Sequence, residues 1–170
     1  MKYEDKDKTL NMERSIRLTE KIFKQYAKIY NDTLREFALD HSARVDAFME
    51  LLCVKRHLPR DLGKAAAVLH DAAKFLDNHP KEHAKLGAIK ARTILEETKD
   101  YSADEIDLIC EAIANHSNKT IHQDPFSEAL KDADALALWS ASPSDDLSKK
   151  WTDRIQSALI ELAGNDAKSE

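Results

Sequence analysis

The stretch Lys64-Ala65-Ala66-Ala67-Val68-Leu69-His70-Asp71-Ala72-Ala73-Lys74 decides how the rest of the chain is read. It contains five alanines and neither glycine nor proline, so it reads as a helix. The run is apolar nearly all round, which puts that helix at the centre of the fold rather than on its surface. His70 and Asp71 interrupt the run. Two polar side chains in a buried helix are costly unless something satisfies them. A hydrogen-bonded core histidine is one solution. A divalent metal is another, because imidazole and carboxylate suit ions such as Zn, Mn and Fe. Adjacent side chains project about 100° apart on a helix. They can therefore reach one ion, or the carboxylate can bridge two.

Working outward, the flanking segments also carry helical periodicity. Upstream, Ile16, Ile22, Phe23, Tyr26, Ile29 and Tyr30 predict a helix over 10–31, preceded by a charged, frayed lead-in at 1–8. Asp40 is placed to cap a second helix from His41 to about Arg56, whose inner stripe is Val45, Phe48, Met49, Leu52 and Cys53. Leu58-Pro59 separates it from the third helix, Arg60 to Phe75. Downstream, Pro80 suits the first position of a helix running to about Lys99. Ser102 with Glu105 has the form of a capping box, opening a helix that ends near His116. Further helices are expected over Phe126 to Ser140 and from Asp145 to Gly164, with Pro143 as a break between them. The expected architecture is all-α: one compact domain over 1–170, a bundle of about six or seven helices.

Composition agrees. The chain has 170 residues, 42% hydrophobic and 34% charged, with 3 glycines and 4 prolines, which leaves few of the turns an all-β fold needs. Its net charge of −5 argues against a duplex nucleic-acid partner, which calls for a basic face. No apolar run approaches the ~18 residues of a membrane span. The charged start, Met1 to Leu10, lacks the apolar core of a signal peptide. Cys53 and Cys110 lie singly in apolar stretches and read as buried free thiols. The expected location is cytoplasmic.

The polar residues that share this apolar background form a pattern. His41 lies upstream of His70-Asp71. Leu130-Lys131-Asp132-Ala133-Asp134-Ala135-Leu136 sets two more acids in an apolar helix downstream. A His, a His-Asp and a distal Asp on separate helices resemble the signature of the HD superfamily of metal-dependent phosphohydrolases, over about 41–139. The resemblance implies a compact helical bundle with His41, His70, Asp71 and Asp134 as metal ligands. It implies Asp71 and Lys74 as catalytic residues, the lysine holding a phosphate oxygen. The resemblance favours Asp134 over Asp132, since the family's ligand is the acid just before a residue-plus-hydrophobe pair, here Ala135-Leu136. Asp132 then stands behind the ligands and orients one of the histidines. Relatives commonly carry Arg or Lys where this chain has Ala135, so that substrate contact is in doubt.

His83 and His116 have three readings: ligands of a second metal, substrate contacts, or structural residues. Gly87 and Ala91 follow His83 on one helical face and allow close helix packing there. His79 and His83 have the four-residue spacing of a two-histidine zinc site, but the accompanying glutamate motif is missing, and the pair reads as coincidence. His57 reads as a surface residue. His122, in a polar loop with Lys119 and Gln123, reads equally as lid or surface. Trp139 and Trp151 read as core residues.

The activity the resemblance implies is hydrolysis of a phosphoester, in a nucleotide or a related small phosphorylated metabolite, by a metal-activated water. The cofactor would be one divalent transition ion (Mn, Fe, Zn, Co or Ni, with Mg admissible), and a second is permitted. Two rivals stand beside it: a metal-stabilised nucleotide-binding or regulatory module without turnover, and a di-iron oxygenase, which the six candidate ligands would allow. A homodimer is compatible with the sequence, which leaves oligomeric state open.

Overall fold

The computed structural model describes the backbone of residues 3–141 and 145–164. Among these there are helices and turns but no strand. The helices are α1 (Tyr3–Tyr26), α2 (Asp32–Arg56), α3 (Arg60–Leu69), α4 (Ala72–Leu76), α5 (His83–Thr98), α6 (Ala103–Asn115), α7 (Pro125–Ala141) and α8 (Asp145–Ala163). The expected all-α class holds, and the expected break at Pro143 lies outside the described residues.

The helix boundaries differ from expectation for local reasons. Residues 3–8, expected as a lead-in, already belong to α1. The second helix starts at Asp32, well before His41, because the Asn31 side chain accepts from the Leu34 N–H at 2.9 Å and caps it there. Asp40 is no cap; it pairs with Arg44 one turn on, at 2.7 Å. His41 therefore sits in the middle of a long helix. Pro80 does not open α5. The chain passes through Asn78 (φ 54°) and Glu82 (φ 57°) before that helix begins at His83. The capping box forms as expected, with Ser102 and Glu105 each bonding the other's backbone N–H.

The central segment, expected as one helix from Arg60 to Phe75, is divided in two. α3 ends at Leu69, Asp71 takes φ −107° and ψ 13°, and α4 starts at Ala72. His70 and Asp71 thus occupy a bend between two helices rather than neighbouring positions on one rigid helix. Just before the bend, the buried Tyr26 hydroxyl donates to the Val68 carbonyl at 2.9 Å.

Ala65 to Leu69 are wholly buried, so α3 is the central helix its composition requires. α2 packs on α7 and α3, α5 on α6 and α4, and α1 covers α3. α7 is buried over Phe126–Ala137, charged residues included. Each buried charge there has a partner. Lys131 bonds Glu128 at 2.8 Å, Asp132 meets Arg56 at 2.6 Å, and Asp134 meets Lys119 at 2.5 Å. Trp139 and Trp151 pack against the core, and Cys53 and Cys110 are buried and unpaired. No described helix is long and apolar enough to cross a membrane.

Candidate metal centre

Five elements supply one cluster. His41 comes from the middle of α2, His70 and Asp71 from the α3–α4 bend, His83 from the start of α5, His116 from the end of α6, and Asp134 from α7. His41, His70, Asp71, His116 and Asp134 are buried; His83 is partly exposed.

The Asp71 carboxylate divides the cluster in two. Its Oδ2 lies 3.8 Å from His41 Nε2 and 3.7 Å from His70 Nε2. Its Oδ1 lies 3.6 Å from His83 Nε2 and 3.5 Å from His116 Nε2. His41 Nε2 is 3.2 Å from His70 Nε2 and 3.2 Å from Asp134 Oδ1. Two donors each ~2.1 Å from a shared ion are separated by roughly 3–3.4 Å; the two 3.2 Å separations at His41 lie in that range, and the distances to Asp71, 3.5–3.8 Å, are a few tenths of an ångström wider. His41–His70–Asp71 and Asp71–His83–His116 each bring three donor atoms within 4.8 Å of one another. Asp71 Oδ1 is buried with no hydrogen-bond partner, an arrangement that a cation at the second group would satisfy.

Three of the histidines are oriented by the same device. The Nδ1 atoms of His70, His83 and His116 face the carbonyls of Ala67, Pro80 and Ile113, at 2.7, 3.0 and 2.7 Å. A carbonyl only accepts, so each Nδ1 carries the proton and each Nε2 presents its lone pair to the cluster. His41 is steadied by Phe37, stacked at 5.3 Å and 4°. Burial holds His70 neutral, lowering its pKa to about 4. Burial opposes the charge on Asp71, but His70, His116 and Lys74 outweigh it and keep the carboxyl well below the ordinary range. For Asp134 the same opposition is overcome by Lys119 together with His41, His70 and His116. A neutral His70 and ionised Asp71 and Asp134 are the protonation states that binding a divalent ion needs of them.

Of the sequence-predicted residues, His41, His70, Asp71, Asp134, His83 and His116 come together, with Lys74 at the edge. Asp132 does not join them. It points the other way along α7, to Arg56 (2.6 Å) and Arg154, tying α7 to α2 and α8. The expectation that it orients a ligand histidine is therefore corrected: positions two apart on a helix project to different sides. His122 is exposed, 3.4 Å from Glu128, and His57 caps the end of α2 at φ 55°. His79 is exposed, on the turn before α5. Lys119, to which the sequence pattern assigns no role, places its ammonium on Asp134 Oδ2. Its only sequence signal is that it lies one turn after His116.

Gly87 sets how closely α5 approaches. A Cβ there would lie 2.9 Å from the His70 carbonyl oxygen and 3.3 Å from Ile113 Cγ2. The helix carrying His83 packs against the bend carrying His70 only because position 87 has no side chain.

A family model, the HD domain, matches residues 38–139. The chain belongs to the HD domain family. The match runs from α2 to α7 and spans His41, His70, Asp71, His83, His116 and Asp134. HD domains bind divalent metals, and the histidine–aspartate clusters of this HD-domain protein fit such an ion. No curated protein matches the sequence. Among solved structures, the chain is similar to a predicted HD superfamily hydrolase from an uncultured Thermotogales bacterium. The identity is 22%, the TM-score is 0.58, and 86% of this chain and 88% of that one are covered. At that identity the likeness concerns the fold alone.

Proposed function

We propose that this HD-domain protein is a metal-dependent phosphohydrolase acting on a phosphoester of a small metabolite, a nucleotide or one chemically like it. The observation that carries the reading is the Asp71 carboxylate, with one oxygen turned to His41 and His70 and the other, lacking any hydrogen bond, turned to His83 and His116. His41, His70, Asp71 and Asp134 would hold one divalent ion; Asp71, His83 and His116 would hold a second. Bound there, such an ion lowers the pKa of its water toward neutrality and polarises a phosphoryl oxygen.

The chain's own residues account for the rest. The backbone carbonyls behind His70, His83 and His116 hold these rings in the tautomer that donates Nε2. Lys74, with its side chain 29% exposed, bonds Asp71 Oδ2 at 2.7 Å. A substrate phosphate offers that ammonium a second anionic partner at the mouth of the site, where it would stabilise charge gathering on the phosphoryl oxygens. Phe37 and Phe75 flank the same ammonium at 5.5 and 5.1 Å and limit its range.

The decisive experiment is to load the protein with Mn(II), Fe(II), Zn(II), Co(II), Ni(II) or Mg(II) and screen a panel of nucleoside mono-, di- and triphosphates, dinucleoside polyphosphates and cyclic dinucleotides. Release of phosphate or nucleotide that stops on chelation supports the reading. A metal-loaded protein that turns over no member would leave the binding-module alternative. An iron-dependent visible band with dioxygen consumption would replace hydrolysis by oxidation.

A further inference from the structure

Asp134 meets the cluster with one oxygen only. Its Oδ1 lies 3.2 Å from His41 Nε2 and 3.9 Å from His70 Nε2, whereas its Oδ2 is taken by the Lys119 ammonium at 2.5 Å. That ammonium is fixed on several sides. The Lys119 side chain is 4% exposed. The ammonium also donates to the His116 carbonyl at 3.3 Å and lies 4.7 Å over the Trp151 ring. The backbone carbonyl of Lys119 accepts from Arg154 Nη2 at 3.1 Å. The contrast with Lys74 is geometric. Lys74 bonds the Asp71 oxygen that itself faces His41 and His70, so an ion and that lysine compete for one atom. Lys119 bonds the carboxylate oxygen turned away from His41, is buried, and has no reason to leave when an ion arrives.

Resting on the phosphohydrolase reading, we propose that Lys119 is a positioning residue. It holds Asp134 to a single donor oxygen, and so keeps a coordination position open on the ion between His41, His70, Asp71 and Asp134. A carboxylate free to turn can chelate through both oxygens and fill the place that water or substrate needs, and catalytic sites differ from structural ones in keeping such a place. The same ammonium also places a positive charge beside the ion. The protein therefore binds its metal less tightly than its own ligands would allow. A purely structural ion pair predicts the reverse, since losing it would misplace Asp134 and weaken the metal.

The test is Mn(II) affinity, by titration with the free ion followed by electron paramagnetic resonance, beside turnover of whichever phosphoester the wild type hydrolyses. Lys119→Met keeps length and removes the charge; Lys119→Gln is a second, polar variant should the first fail to fold. Tighter Mn(II) binding, roughly tenfold, with an altered bound-Mn(II) signal and lower turnover, is the expected result. Lys119→Arg, which restores the charge, should bring affinity back toward the wild type. Unchanged or weaker Mn(II) binding in a folded, uncharged variant overturns the role of Lys119 and leaves the phosphohydrolase reading standing. A wild type that takes up no Mn(II), Zn(II) or Fe(II) overturns both.

Discussion

Lys74 Nζ stands 2.7 Å from Asp71 Oδ2, three residues on and across the bend that separates α3 from α4. The pair joins two different jobs. Asp71 is buried and central to the cluster, whereas Lys74 reaches it from the partly exposed rim. Asp71→Ala should remove bound metal and reduce phosphoester hydrolysis to background, because a charge and a shared donor disappear together. Lys74→Ala should keep its metal, bound at least as tightly as in the wild type because the ammonium no longer competes for Asp71 Oδ2, and lower turnover roughly a hundredfold. Metal analysis and phosphate release on both proteins check the contrast. An Asp71 variant that retained metal and activity would sink the proposed mechanism.

The two acids of α7 should separate just as cleanly. Asp134→Asn is expected to lose metal affinity. Asp132→Asn is expected to keep it and lose stability, by about 1–2 kcal/mol, since Arg56 retains Glu161 and Arg154 retains Glu128. Urea unfolding beside metal analysis distinguishes them.

Gly87→Ala should act on the site from outside it. The added methyl meets the His70 carbonyl at 2.9 Å, so α5 must move or the bend must give. A cost of about 1–3 kcal/mol is expected. Because α5 begins at His83, metal retained at the Asp71–His83–His116 group should fall before metal at the other group does. The readouts are the melting temperature and the stoichiometry of bound metal.

Acid should destabilise the metal-free protein in a defined window. His70 is held neutral by burial, with its pKa near 4 against an ordinary value of 6.5. Between these values the unfolded chain binds the proton and the folded chain does not, so stability falls as pH drops from ~6.5 to ~4, by about 3 kcal/mol at most. Above 6.5 this contribution is flat. Denaturant midpoints across the window should fall with pH in the wild type and with a shallower slope in His70→Gln.

Much of the fold was legible in the residues. An alanine-rich apolar run marked the central helix, Ser102 and Glu105 marked the start of α6, and periodic apolar positions marked the rest. The boundaries that failed did so through side-chain choices that periodicity does not encode. Asn31 takes the cap while Asp40 spends its carboxylate on Arg44, and helical backbone continues to Tyr3 through a charged stretch.

For the site, the sequence by itself determined the donor types, their order and their association with apolar helices, because polar side chains in such surroundings must be satisfied. It also carried the likeness to the HD domain. Tertiary structure decided what depends on direction. It broke the central helix at His70-Asp71, so that one carboxylate faces two histidine pairs. It turned Asp134 inward and Asp132 toward Arg56 and Arg154. It brought Lys119 from a polar loop onto the far oxygen of Asp134. Each of these is a matter of where a side chain points in three dimensions, and spacing along the chain records only how far apart two residues are.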